Sequence, residues 1–272
     1  MVKKDVVKKI LARTYIGIIL FIMYLPILVL VIYSFTDSDQ LGVWNGFSFD
    51  LYVKLFENRS LMRAIKNTLI ISFATAIVGT ILGTFGAIGV FYSKRRYKKT
   101  MELMTQLPVV NAEIVMALSL AVLFHFLGIK TSFFTLLVGH LVLTVAFVYL
   151  NVKPKLVQMD PNVYEAALDL GSTPWHALFK VVLPEILPGI FSGFLISITL
   201  SLDDFVITQY LKEPSFETIS TYIQKIIAKH PIPPEVRAFS SILSLVVVLV
   251  VVGITIYNNK KSNKIAQLRG TK

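Results

Sequence analysis

The chain has 272 residues, 55% of them hydrophobic and only 16% charged, and its mean hydropathy of +0.70 excludes an ordinary soluble globular protein. Cysteine is absent, which excludes disulfides, thiolate metal sites and a cysteine nucleophile, and the four histidines at 125, 140, 176 and 230 lack metal-ligand spacing. A net charge of +11 would suit nucleic acid, but the way the charges are placed argues instead for orientation in a membrane and for no nucleic-acid partner.

Six long apolar stretches follow one another at 15–35, 67–92, 103–127, 132–150, 187–210 and 238–257. Each has about the 20 residues that a spanning helix needs. The first follows Lys3, Lys4, Lys8, Lys9 and Arg13 and so imitates a signal peptide. Its apolar run is too long for one, no A-x-A cleavage site follows, and it reads as a retained helix. Pro26 marks a kink in it. In the second stretch Gly79, Gly83, Gly86 and Gly89 allow neighbouring backbones to approach closely. The sixth has no polar group from 245 to 253 and suits lipid or packing.

With the amino terminus inside, 18 of the 27 Lys+Arg residues fall in cytoplasmic segments and 8 in outer ones, while Lys66 sits at a helix edge. That asymmetry places both termini in the cytoplasm. The expected architecture is therefore an all-α membrane protein of six transmembrane helices embedded in a lipid bilayer. A cytoplasmic segment 1–14 precedes a transmembrane domain 15–257, which carries a cytoplasmic loop 158–184 and an outer loop 211–237. A basic cytoplasmic tail 258–272 ends the chain. No internal repeat suggests two inverted halves.

Loop 158–184 has readable punctuation. Asp160 and Pro161 form an N-cap and first-turn pair. A short helix should run to about Leu170, where Gly171 can take the left-handed conformation that ends helices. Thr173 and Pro174 repeat the start signal, and a second short helix should reach Val182 and stop before Pro184. Two short helices on the cytoplasmic face make a projection that another protein can grip.

These residues carry a resemblance. Glu165, Ala166 and Ala167, then three residues, Gly171, nine residues and Val181-Val182-Leu183-Pro184 are similar to the E-A-A-x3-G-x9-I-x-L-P loop of bacterial ABC importer permeases. Val181 in place of Ile is the departure. The bland alternative, a solvated amphipathic loop, does not account for a match in both spacing and residue type. The resemblance implies a type I importer fold and a loop that couples an ATPase to the membrane helices through Glu165, Ala166, Ala167, Gly171, Leu183 and Pro184. The run Thr199-Leu200-Ser201-Leu202-Asp203-Asp204-Phe205, with segments 44–47, 108–119, 213–218 and 234–238, resembles PotC-type subunits of spermidine/putrescine importers. It implies a PotB-like partner permease, an ATPase dimer, an extracytoplasmic polyamine-binding protein and a bacterial cytoplasmic membrane.

Charged groups inside spanning helices are costly, so Glu113, Asp203 and Asp204 are candidates for the substrate path on physical grounds alone. An outward-running third helix puts Glu113 at roughly 15 Å depth, and Asp203 lies roughly 24 Å along the fifth helix. Such a ladder of carboxylates suits an elongated cation with several ammonium groups. The competing reading is that these acids pair with a partner's basic groups or cap backbone amides. Neighbours on a helix point about 100° apart, so Asp203 and Asp204 should divide between path and interface. Ser201 is a weaker candidate, because a helix serine often bonds its own backbone. His125 and His140 read as hydrogen-bonded structural residues, since neither has an acid beside it in sequence.

No G-x-x-x-x-G-K-[ST] occurs, so ATP and Mg belong to a partner ATPase and the chain itself is expected to hold no cofactor and no catalytic residue. An importer of another small solute fits the same loop. A proton-coupled transporter using Glu113 and the histidines would leave the E-A-A loop unexplained. A membrane enzyme lacks both H-E-x-x-H and G-x-S-x-G.

Overall fold

The computed structural model of the chain describes residues 2–38, 40, 42–160, 162–228 and 233–270. Pro161, Lys229 and His230 lie outside the described residues, as do the side chains of 2–10, 250, 251, 254, 255 and 257–270. The helices are α1 Val2–Tyr33, α2 Asp50–Glu57, α3 Arg59–Phe91, α4 Arg95–Val110, α5 Glu113–Phe126, α6 Phe133–Gln158, α7 Asn162–Asp169, α8 Pro174–Ala177, α9 Leu183–Asp203, α10 Val206–Leu211, α11 Ile219–Ile227 and α12 Glu235–Gly270. Among the described residues extended backbone pairs only at the isolated bridge Thr36–Phe47.

The fold is all-α, with apolar helices long enough to cross a bilayer at Leu11–Tyr33, Arg59–Phe91, Phe133–Gln158 and Pro174–Asp203. Three expectations need correction. The stretch 103–127 is not one helix, because α4 and α5 meet at a 106° bend. Pro108 removes one amide from the last turn of α4, and Asn111 and Ala112 adopt extended backbone, which ends the helix. The stretch 187–210 is also broken: Asp204 leaves the helical region at ψ 124°, and α10 starts afresh two residues later. Finally, the second loop helix does not stop before Pro184. It runs through a π-helical turn, Leu178–Val182, in which the Leu183 amide donates to the Leu178 carbonyl, and continues into α9. A π turn changes the hydrogen-bond ladder next to a residue that has no amide to give.

The chain divides into two compact units. One comprises Met1–Met62 and Ile226–Lys272. In it the Tyr52 hydroxyl meets Ser34 at 2.8 Å and donates to Ser241 at 3.3 Å, joining α2 to the end of α1 and to α12. Asn58 Nδ2 donates to Glu235 at 2.7 Å. The other unit, Arg63–Lys225, holds loop 158–184 and the three acids Glu113, Asp203 and Asp204.

In that unit Val148 of α6 is completely buried between two glycines, Gly83 of α3 and Gly193 of α9. Small residues let helices pack backbone to backbone in lipid, where no hydrophobic effect draws them together. A Cβ on Gly83 would lie 2.6 Å from Val148 Cβ, and one on Gly79 would lie 2.9 Å from Thr144 Oγ1. Gly86 and Gly89 meet nothing within 4 Å, so the close-approach reading holds for only two of the four glycines. Gly83→Ala is accordingly expected to destabilise the protein by about 1–3 kcal/mol. Gly86→Ala should be neutral. Thermal unfolding in detergent measures both, and equal behaviour of the two variants would refute the packing assignment.

Candidate translocation and coupling sites

The three acids sit at helix ends, where the chain bends. Glu113 is the first residue of α5, directly after the extended Asn111 and Ala112. Asp203 closes α9, and Asp204 is its C-terminal cap. Both aspartates lie within electrostatic range of Glu113. Glu113 and Asp203 are exposed, and among the described residues no basic side chain forms an ion pair with either.

Asp204 is placed differently. Its side chain is 7% exposed and accepts hydrogen bonds from the Ile207 amide at 3.2 Å, the Thr208 amide at 2.8 Å and the Thr208 hydroxyl at 2.7 Å. It therefore satisfies orphan amides at the start of α10, as a capping carboxylate does. His140 Nε2 lies 3.3 Å from Asp204 Oδ2 and 3.1 Å from Thr208 Oγ1. His140 Nδ1 meets Ser201 Oγ at 2.8 Å. Ser201 thus bonds a neighbouring helix rather than its own backbone. The Ser220 hydroxyl donates to the Asp204 carbonyl at 2.7 Å, which ties loop 211–237 to the break. Ile207 and Leu211 of α10 pack on Ala117 and Phe124 of α5, so the two broken segments support one another.

Thr208, and the partners that His140 finds, are not legible in the sequence. His140 stands 61 residues from Ser201 and 68 from Thr208, a separation no local pattern reveals. A clue was available in Asp204 itself, which precedes Ile207 by three residues at the spacing of a helix cap.

Loop 158–184 forms a separate cluster. α7 ends in a two-bond cap: the Gly171 amide donates to the Leu168 carbonyl at 2.9 Å and the Ser172 amide to the Ala167 carbonyl at 3.0 Å. This Schellman arrangement requires a left-handed residue, and Gly171 has φ +87°. Thr173 then caps α8, its hydroxyl accepting from the His176 amide at 3.3 Å. Glu165 and Ala166 are exposed and Ala167 is half-buried. Leu170 and Trp175 are 89% and 68% exposed, a large apolar presentation for one short segment. Tyr164 packs against Tyr92 at 5.1 Å and fastens the loop to the end of α3. Leu183 is half-buried and Pro184 exposed where the loop merges into α9.

Comparison with known proteins places this architecture. The family described as "Binding-protein-dependent transport system inner membrane component" matches residues 79–260. The spermidine/putrescine transport system permease protein PotC of Haemophilus influenzae is 36% identical over 241 residues, covering 87% of this chain and 93% of that protein. PotC of Escherichia coli (strain K12) is 35% identical over 231 residues, with 85% and 86% covered. A crystal structure of a bacterial ABC transporter that imports the acidic polysaccharide alginate contains a chain with a TM-score of 0.70 and 22% identity, covering 92% of this chain and 96% of that one. With a family match across most of its spans and relatives above 30% identity over most of its length, the chain belongs to the inner-membrane permease family of binding-protein-dependent transport systems.

Proposed function

We propose that this chain is a permease subunit of an ATP-driven importer of polyamines of the spermidine/putrescine class. The observation that carries the reading is the placement of Glu113, Asp203 and Asp204 at the broken ends of α5 and α9, within electrostatic range of one another and with no basic partner for Glu113 or Asp203 among the described residues. Adjacent carboxylates left without cations attract a substrate that brings several of its own. The names of the PotC relatives support the same substrate class.

In this reading the chain spans the bacterial cytoplasmic membrane six times, with α4 and α5 as one broken span and both termini inside. Domain 15–257 forms the path together with a PotB-like partner permease. None of the side chains in the apolar part of α1 is buried within the chain, which leaves that helix for lipid or for the partner. Loop 158–184 presents Leu170, Gly171 and Trp175 to an ATPase dimer that binds ATP and Mg, and an extracytoplasmic binding protein delivers the polyamine.

The test is reconstitution of the full complex in proteoliposomes, with labelled spermidine and putrescine and a cleavable tag after Lys272. Uptake should require ATP on the side that bears the tag. Uptake driven by a proton gradient without ATP, or a tag on the opposite side, would contradict the proposal.

A further inference from the structure

Ser201, His140 and Asp204 form a buried chain of contacts, with relative exposures of 3%, 2% and, for the aspartate side chain, 7%. Its residue types are those of a hydrolytic triad, but the two imidazole nitrogens are exchanged relative to one and the cluster encloses a void of only about 10 Å³. That space is about one water's worth and admits no substrate. The work of the cluster is therefore positional.

The donors and acceptors fix how it holds. A carboxylate only accepts, and Asp204 Oδ2 already receives the Thr208 amide and hydroxyl. The Thr208 proton is then committed to Asp204, so His140 Nε2, 3.1 Å from Thr208 Oγ1 and 3.3 Å from Oδ2, must be the protonated nitrogen. This assignment follows from the network. Nδ1 meets the Ser201 hydroxyl on α9. One imidazole on α6 thus clamps the two sides of the break, α9 through Ser201 and α10 through Thr208 and Asp204.

Resting on the cation-path reading above, we infer that His140 is a positioning residue that withdraws Asp204 from the path and leaves Asp203 as the cation-facing member of the adjacent pair. The two carboxylates differ by one residue in the chain and by opposite environments. Asp204 spends its lone pairs on α10 and the imidazole. Asp203 remains exposed and without a basic partner among the described residues.

The experiment labels carboxylates in the assembled transporter in lipid nanodiscs, using a water-soluble carbodiimide with glycine ethyl ester and reading positions by fragment-ion mass spectrometry. In the unsubstituted complex Asp203 should take up about tenfold more label than Asp204. His140→Leu should raise labelling of Asp204 by about tenfold. His140→Gln, which keeps an amide donor and a carbonyl acceptor, should leave Asp204 protected. A residue needed only for packing would give the reverse order, since Leu preserves apolar volume and Gln does not. If His140→Leu does not assemble, Thr208→Val removes the same hydroxyl bridge and should expose Asp204 in its place. Equal labelling of Asp203 and Asp204 without substitution, or protection of Asp204 persisting in the assembled variants, overturns the inference. Failure of the cation path is read separately: Asp203→Asn would then leave polyamine uptake intact while the labelling pattern stood.

Discussion

Gly171→Val should abolish ATP-driven uptake while leaving the permease inserted in the membrane. The backbone at Gly171 is left-handed, with φ +87°, and no atom lies within 4 Å of where a Cβ would stand. The obstacle is therefore conformational and not steric crowding by neighbours. Left-handed backbone costs a non-glycine residue roughly 1–2 kcal/mol, and a β-branched residue pays at the upper end. That is comparable with what two hydrogen bonds to Leu168 and Ala167 contribute in an exposed helix end, so the cap opens. Once it opens, α7 loses its fixed angle to α8, and Leu170 and Trp175 no longer form one surface. Asn tolerates left-handed backbone, so Gly171→Asn should retain much of the activity. Uptake and co-purified ATPase measured for both variants decide the matter. Normal uptake in Gly171→Val would end the coupling assignment.

The legibility of this chain in its sequence follows from which physical signals are local. Spanning stretches announce themselves by the length of their apolar runs, and Gly171 announces a left-handed backbone because few other residues accept one. The breaks near Asn111 and at Asp204 were hidden because hydropathy continues across both. Pro108 was the hint at the first, and the capping distance from Asp204 to Ile207 was the hint at the second. Gly79 and Gly83, four apart on one face of α3, pack against α6, whereas Gly86 and Gly89 face open space. Residue type could not separate them, because the difference lies in which helix arrives opposite. His140 was placed correctly as a hydrogen-bonded residue, but its acid came from α9, beyond any sequence window.

Glu113→Gln and Asp203→Asn should each lower polyamine uptake by about tenfold or more, with the complex assembling at normal abundance. An ammonium about 4 Å from a carboxylate gains about 1 kcal/mol in bulk water and about 4 kcal/mol at a protein surface. A path open to water lies between these limits, and 1.4 kcal/mol already makes a factor of ten. Neither acid has an ion-pair partner among the described residues, so neutralising it should strand no charge within this chain. Asp204→Asn tests the opposite case. Its carboxylate is buried against His140 and caps α10, and leaving buried hydrogen-bonding groups unsatisfied costs about 1–3 kcal/mol each. Assembly should fall first there, with uptake falling in proportion. Uptake and complex abundance measured in the same membranes separate the two behaviours. Loss of complex in Glu113→Gln and Asp203→Asn would assign both acids to the partner interface, and full uptake in both would remove the carboxylates from the path.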